Sequence, residues 1–124
     1  MPFVRTTDTV THEAHGARFT PFANPTLGAT EICVWQVHIP AGTTGVPHTL
    51  NREEVVIVTE GEIRFRLDDD TATLGPGEAT VIPAGHTMCV DNHTNTPATI
   101  IASTSVGIEG TMADGTRFTP PWSR

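Results

Sequence analysis

No lysine occurs anywhere in this sequence of 124 residues. Schiff-base chemistry, which needs a lysine amine, is therefore excluded. The seven basic residues are all arginines (Arg5, Arg18, Arg52, Arg64, Arg66, Arg117 and Arg124), and they are scattered among fourteen Asp and Glu, for a formal net charge of -7. A phosphate-binding surface needs clustered positive charge, so no nucleic-acid partner is expected. Long hydrophobic runs are missing too. None approaches the ~18 residues that span a bilayer, so no membrane partner is expected either. The opening residues, Met1 to Asp8, show no basic stretch followed by an apolar one, which leads to the expectation of no signal peptide and of cytoplasmic residence. Cysteine is scarce. Cys33 and Cys89 in such a context read as reduced, buried and, with no base near them in sequence, inert.

Helical periodicity is also missing between residues 30 and 105. Apolar residues there alternate or run in short β-branched bursts, punctuated by Gly, Pro and Asp. The pattern predicts strands over 31–39, 54–59, 62–67, 71–74, 79–82, 86–90 and 98–105. Many short strands at regular spacing indicate an all-β sandwich or barrel. Asp68-Asp69-Asp70 reads as a solvated hairpin turn, since a calcium loop would also require its Gly and distal Glu. Hydrophobic residues make up 37% and charged residues 17%, as in a globular chain. Without an internal repeat or linker, residues 1–124 read as one domain. Its core lies at about 30–105, and the Thr-, Gly- and Pro-rich ends form edge strands or arms.

The spacing of turns and polar residues is specific. Gly42, His48, Leu50, Glu54 and Gly61 fall in the register of one motif, and Gly77, Pro83, Gly85, Met88 and Asn92 in that of a second. Fifteen residues separate the two. Together they resemble the two motifs of the cupin superfamily over about residues 30–105. The resemblance implies a cupin-type double-stranded β-helix, a jelly-roll barrel with a pocket for a small organic molecule. It also implies a homodimer, paired through sheet edges. Cupins with a complete set hold one first-row transition metal through three His and one Glu, projecting from adjacent strands. Here Leu50 and Met88 stand at two of those four positions, leaving His48 and Glu54. The expected cofactor is therefore none, or otherwise one first-row transition metal at a displaced His48–Glu54–His86 site. That site requires the strand to be extended already at His86, so that His86 and Met88 share a face; the alternative places His86 in the turn after Gly85.

Strand parity sets Val56 on the pocket face with Glu54, and Val90 with Met88. Gln36 and His38 are candidate polar pocket residues; alternatively they face outward while Trp35 fills the core. His12 and His15 read as part of an exposed arm. The tail Pro120-Pro121-Trp122 reads as an extended anchor, on its own barrel or on a second subunit. A His48–Glu54 pair among apolar walls suggests an acid–base dyad in which the imidazole keeps the carboxylate ionised. Such a dyad suits isomerisation, dehydration or cyclisation of a small molecule. A metal-dependent enzyme such as a dioxygenase, and a non-catalytic binding module, are the alternatives.

Overall fold

The strand Ala98–Ser105 organises one side of the molecule, because a long antiparallel neighbour flanks it on each edge. The computed structural model describes residues 3–124. In chain order its strands are β1 His12–Ala14, β2 Ala17–Ala23, β3 Ile32–Ile39, β4 His48–Leu50, β5 Glu54–Glu60 and β6 Ile63–Leu67. They continue with β7 Asp70–Leu74, β8 Ala79–Ile82, β9 Met88–Asp91, β10 Ala98–Ser105, β11 Gly110–Met112 and β12 Arg117–Phe118. One six-stranded sheet has the order β1-β2-β3-β10-β5-β8, the other β12-β11-β4-β9-β6-β7. All pairings within them are antiparallel. The result is an all-β jelly roll, within the sandwich-or-barrel class that the strand pattern predicts and of the type that the motif resemblance implies. No helix among the described residues is long and apolar enough to cross a membrane.

Alternation decides what lies inside. On β3 the buried set is Cys33, Trp35, Val37 and Ile39, while Val34, Gln36 and His38 turn outward. Gln36 and His38 are thus not pocket residues. The more apolar of the two faces of β3 went inward, since burying Trp35 removes far more apolar surface from water than burying Gln36 would. In the same sheet Ala102 of β10 pairs with Trp35 on one side and Val56 on the other, and Ile100 pairs with Val37 and Val58. Three strands therefore present one apolar wall.

Two motif residues prove architectural. Gly61 sits at φ +70, and a Cβ there would lie 2.5 Å from the Pro97 carbonyl oxygen, so both conformation and space demand glycine. Asn92 is fully buried. Its amide nitrogen donates to the carbonyls of Ile39, Pro40 and Thr96, and its oxygen accepts from the backbone and hydroxyl of Thr94. One side chain thereby ties the end of β3 to the turn before β10.

The strand expected over 86–90 begins only at Met88. Gly85, at φ +84, turns the chain, and Asp68 then captures the two residues before the strand. Its carboxylate accepts from the Thr87 backbone N–H at 3.0 Å and bonds His86 Nδ1 at 2.5 Å. Asp68 itself occupies the left-handed region at φ 53, as Asp does in turns.

Beyond β12 the chain folds back on its own barrel. Trp122 stacks on Phe19, ring centroids 3.8 Å apart, and meets Trp35 edge-on at 6.4 Å. The Asn24 amide donates to the Trp122 carbonyl, and the Thr26 hydroxyl to that of Arg124.

Candidate functional site

Between the two sheets lies a cavity of about 130 Å³. Its walls are mostly aliphatic and aromatic, with Trp35, Val37, Leu50, Val56, Met88 and Ile100 among them. Among the described residues, three ionisable side chains interrupt these walls: His15, His48 and Glu54.

Glu54 opens β5 and points inward by the same alternation that buries Val56 and Val58. Only 6% of it is exposed. With no hydrogen bond or ion pair among the described residues to offset its burial, desolvation pushes its pKa from 4.5 up to about 8. At neutral pH the side chain is therefore a carboxylic acid, able to donate a hydrogen bond or a proton.

His48 opens β4 and faces Met88 of β9 directly. Its Nδ1 lies 2.9 Å from the Val46 carbonyl oxygen. That oxygen can only accept, so Nδ1 carries the proton and Nε2 keeps a free lone pair. The ring meets Phe118 edge-on at 5.8 Å. Burial lowers the His48 pKa and nearby His15 lowers it further, while the hydrogen bond to Val46 opposes the change.

His48 and Glu54 are close in sequence, but β4 and β5 belong to different sheets. No hydrogen bond joins them among the described residues. The dyad in which His48 keeps Glu54 ionised is accordingly replaced by two neutral groups on opposite walls of one cavity.

Of the other candidates, Leu50, Val56, Met88 and Val90 line the cavity. Gln36 and His38 lie on the outer face. His86 is held outside the barrel by Asp68. His15, expected in an exposed arm, is exposed as expected but also stands at the cavity rim. It forms with Gly16 a two-residue connection between β1 and β2, both residues at positive φ (52 and 78). A residue followed by Gly between two strands is the signal of such a hairpin, and it would have placed His15 at a strand end.

The family model described as "Cupin domain" matches residues 35–104. The chain belongs to the cupin family. Solved cupin-fold structures agree with this. The polyketide cyclase RemF from Streptomyces resistomycificus superposes with a TM-score of 0.75 at 20% identity, covering 85% of this chain and 79% of that one. KdgF from Halomonas sp. gives 0.72 at 18% identity, with 83% and 93% covered. A sugar phosphate isomerase from Silicibacter pomeroyi gives 0.67 at 18% identity, with 90% and 85% covered. At these identities the likeness is one of fold. Comparison with curated protein sequences finds no match.

The donor set does not fit the metal that a cupin with three His and one Glu would hold. Leu50 offers no ligand atom and Met88 only a soft thioether. His86, bonded to Asp68, is not among the side chains that line the cavity with His48 and Glu54, so the displaced three-ligand site is not assembled among the described residues. Among the described residues, no three His, Cys, Asp or Glu side chains come together as a metal site.

Proposed function

We propose that this cupin is a small-molecule enzyme of the isomerase, dehydratase or cyclase type, working by acid–base chemistry in its barrel. One observation carries the reading: Glu54 is buried without a partner in an apolar cavity, where it keeps its proton at neutral pH. A group whose pKa lies near the working pH can both give and regain a proton. Apolar walls and a modest volume fit a small, largely apolar substrate, since a cavity of ~150 Å³ accommodates about one aromatic ring. Walls so poor in hydrogen-bonding groups suit a sugar badly. The fold likeness to a polyketide cyclase and a sugar phosphate isomerase is compatible with this class of chemistry, and the wall chemistry leans toward the former kind of substrate.

In this reading the Glu54 carboxyl protonates a substrate carbonyl oxygen. His48 Nε2 takes a proton from the carbon beside that carbonyl, leaving a neutral enol and an imidazolium–carboxylate pair. Return of a proton to a different carbon, or attack of the enol on a second carbonyl, completes isomerisation or cyclisation and resets both groups. The hydrogen bond from Nδ1 to Val46 keeps Nε2 as the basic atom throughout.

The experiment is deuterium exchange from solvent into a panel of cyclic ketones, from cyclohexanone to 1-tetralone, followed by proton NMR. The wild type should accelerate exchange beside the carbonyl, and Glu54→Gln and His48→Ala should each lower the acceleration about 100-fold or more. Binding without exchange across the panel would favour a non-catalytic module.

A further inference from the structure

We infer that His48, Met88 and His15 form a binding site for monovalent copper in the barrel cavity. His48 and Met88 are direct partners across β4 and β9. Side chains paired in this way start about 4.5–5.5 Å apart. Both line the cavity, as do Leu50 and Val90 two residues further along the same strands, so an imidazole nitrogen and a thioether sulfur face one space. The imidazole is already set for a metal. A metal-binding histidine characteristically donates its other ring N–H to a carbonyl or carboxylate, which fixes its tautomer. His48 does this at Nδ1, 2.9 Å from the Val46 carbonyl oxygen, and offers the lone pair of Nε2.

His15 supplies the third donor. It lines the same cavity from the connection between β1 and β2, and it lies near enough to His48 to act on it electrostatically. A Cβ added to the adjacent Gly16 would stand 3.9 Å from the Thr43 methyl, so this connection packs on the segment that leads into β4. The three donors differ in access. Met88 is buried, His48 is half-buried and His15 is exposed, which gives an ion a path from solvent through His15 to the interior pair.

The donors select the ion. Magnesium, calcium and manganese favour oxygen ligands, whereas a thioether is soft and favours Cu(I), which imidazole also suits. Charge points the same way. Among the described residues the cavity wall carries one carboxyl, Glu54, and it keeps its proton at neutral pH. A divalent ion would therefore enter apolar walls with no anionic ligand to offset it. The desolvation cost grows with the square of the charge, so a monovalent ion is far easier to accommodate. Two imidazoles and a thioether also suffice for Cu(I), which is stable with two or three ligands. This set departs from three His and one Glu in metal, in donor type and in residues, since His15 lies outside both motifs. The bound ion takes up the Nε2 lone pair that serves as base in the proposed reaction, so copper holds the enzyme inactive. Only that last consequence rests on the acid–base reading; the binding does not.

The test is competition for Cu(I), kept reduced with ascorbate under nitrogen, between the protein and bicinchoninate, whose colour reports the metal it holds. The wild type should withdraw about one copper ion per chain from the chelator. Met88→Leu, a volume-conserving change that the core tolerates, should weaken binding by about 10-fold or more, as should His48→Ala and His15→Ala. Cys33→Ser and Cys89→Ser should bind as the wild type does, because neither thiol lines the cavity. Far-UV circular dichroism confirms that each variant is folded. Copper should also stop the deuterium exchange of the wild type, and excess chelator should restore it. A wild type that takes no copper overturns the inference. So do folded Met88→Leu, His48→Ala or His15→Ala proteins with undiminished affinity, a loss confined to the cysteine variants, or exchange that continues with copper bound. Copper held at these residues by a protein that never exchanges deuterium supports the site and removes the acid–base reading instead.

Discussion

His48 and Glu54 face one cavity from opposite sheets without a hydrogen bond between them, the imidazole turned to the Val46 carbonyl and the carboxyl left among apolar side chains. Each group is therefore most stable uncharged, and pH acts on the two in opposite directions.

For Glu54 the folded pKa, about 8, lies above the ordinary 4.5. Between these values the folded chain binds more protons than the unfolded one, so stability falls as pH rises. It is undiminished below about pH 4.5, declines from there through about pH 8, and is level above. A shift of this size corresponds to a loss on the order of 3–5 kcal/mol across the window. Urea denaturation at several pH values should show it, superimposed on the other titrations. Glu54→Gln, which cannot ionise, should remove that slope and be the more stable protein at alkaline pH. Parallel profiles for the two proteins would mean that water reaches the carboxylate.

For His48 the folded pKa is depressed, so the sign reverses. The unfolded chain takes up a proton at ~6.5 that the folded chain accepts only at lower pH, and stability is lost as pH falls from there through the folded value. Proton NMR of the imidazole signals should give His48 the lower titration midpoint expected of a buried ring. His15→Ala removes the charge that opposes protonation of His48, and should raise that midpoint without altering the fold. An unchanged midpoint would separate the two rings electrostatically.

The fold was legible because its signals are local. Period-two alternation marked β3 and β6, and the paired motif spacing fixed the turns around Gly61 and Gly85. The motif register put Leu50 and Met88 at the cavity, and strand parity added Val56 and Val90. Parity failed for His86, because it carries over only along extended chain, and a side chain eighteen residues away, Asp68, holds that segment out of the strand. It also missed that β4 and β5 part company into different sheets. Only three residues separate them, and short connections usually join neighbours. Partnering across the barrel, like the docking of Trp122 on Phe19, is set by long-range packing and leaves no mark in local spacing.

The Trp122 anchor gives a third expectation. The ring is buried and stacked on Phe19, but its Nε1–H has no partner among the described residues. Trp122→Ala should cost about 3–5 kcal/mol through the cavity it leaves. Trp122→Phe keeps most of the stack and removes the unsatisfied donor, whose burial is itself unfavourable by ~1–3 kcal/mol. Its net cost should stay below about 1.5 kcal/mol. Denaturant midpoints of the three proteins check the order. Equal losses in the two variants would mean that the N–H finds a partner in solution.

The two replaced ligand positions allow a direct test of the cavity's geometry. His48 is paired with Met88 across β4 and β9, Leu50 lies two residues along β4 from His48, and Glu54 faces the same cavity from the other sheet. Leu50→His combined with Met88→His would therefore bring three imidazoles and one carboxyl to a single space, the donor number and type that first-row transition metals favour. Nickel or cobalt titrated into the double variant should bind clearly more tightly than into the wild type. Because Glu54 keeps its proton at neutral pH, binding should also release about one proton from it, visible in calorimetry as a heat that varies with the ionisation enthalpy of the buffer. Adding Glu54→Gln should abolish that release. Tight binding by the wild type equal to that of the variant would show that its own side chains already complete a site. A double variant that binds no metal would show that these four backbone positions do not aim at one point, and the shared cavity of His48 and Glu54 would have to be redrawn.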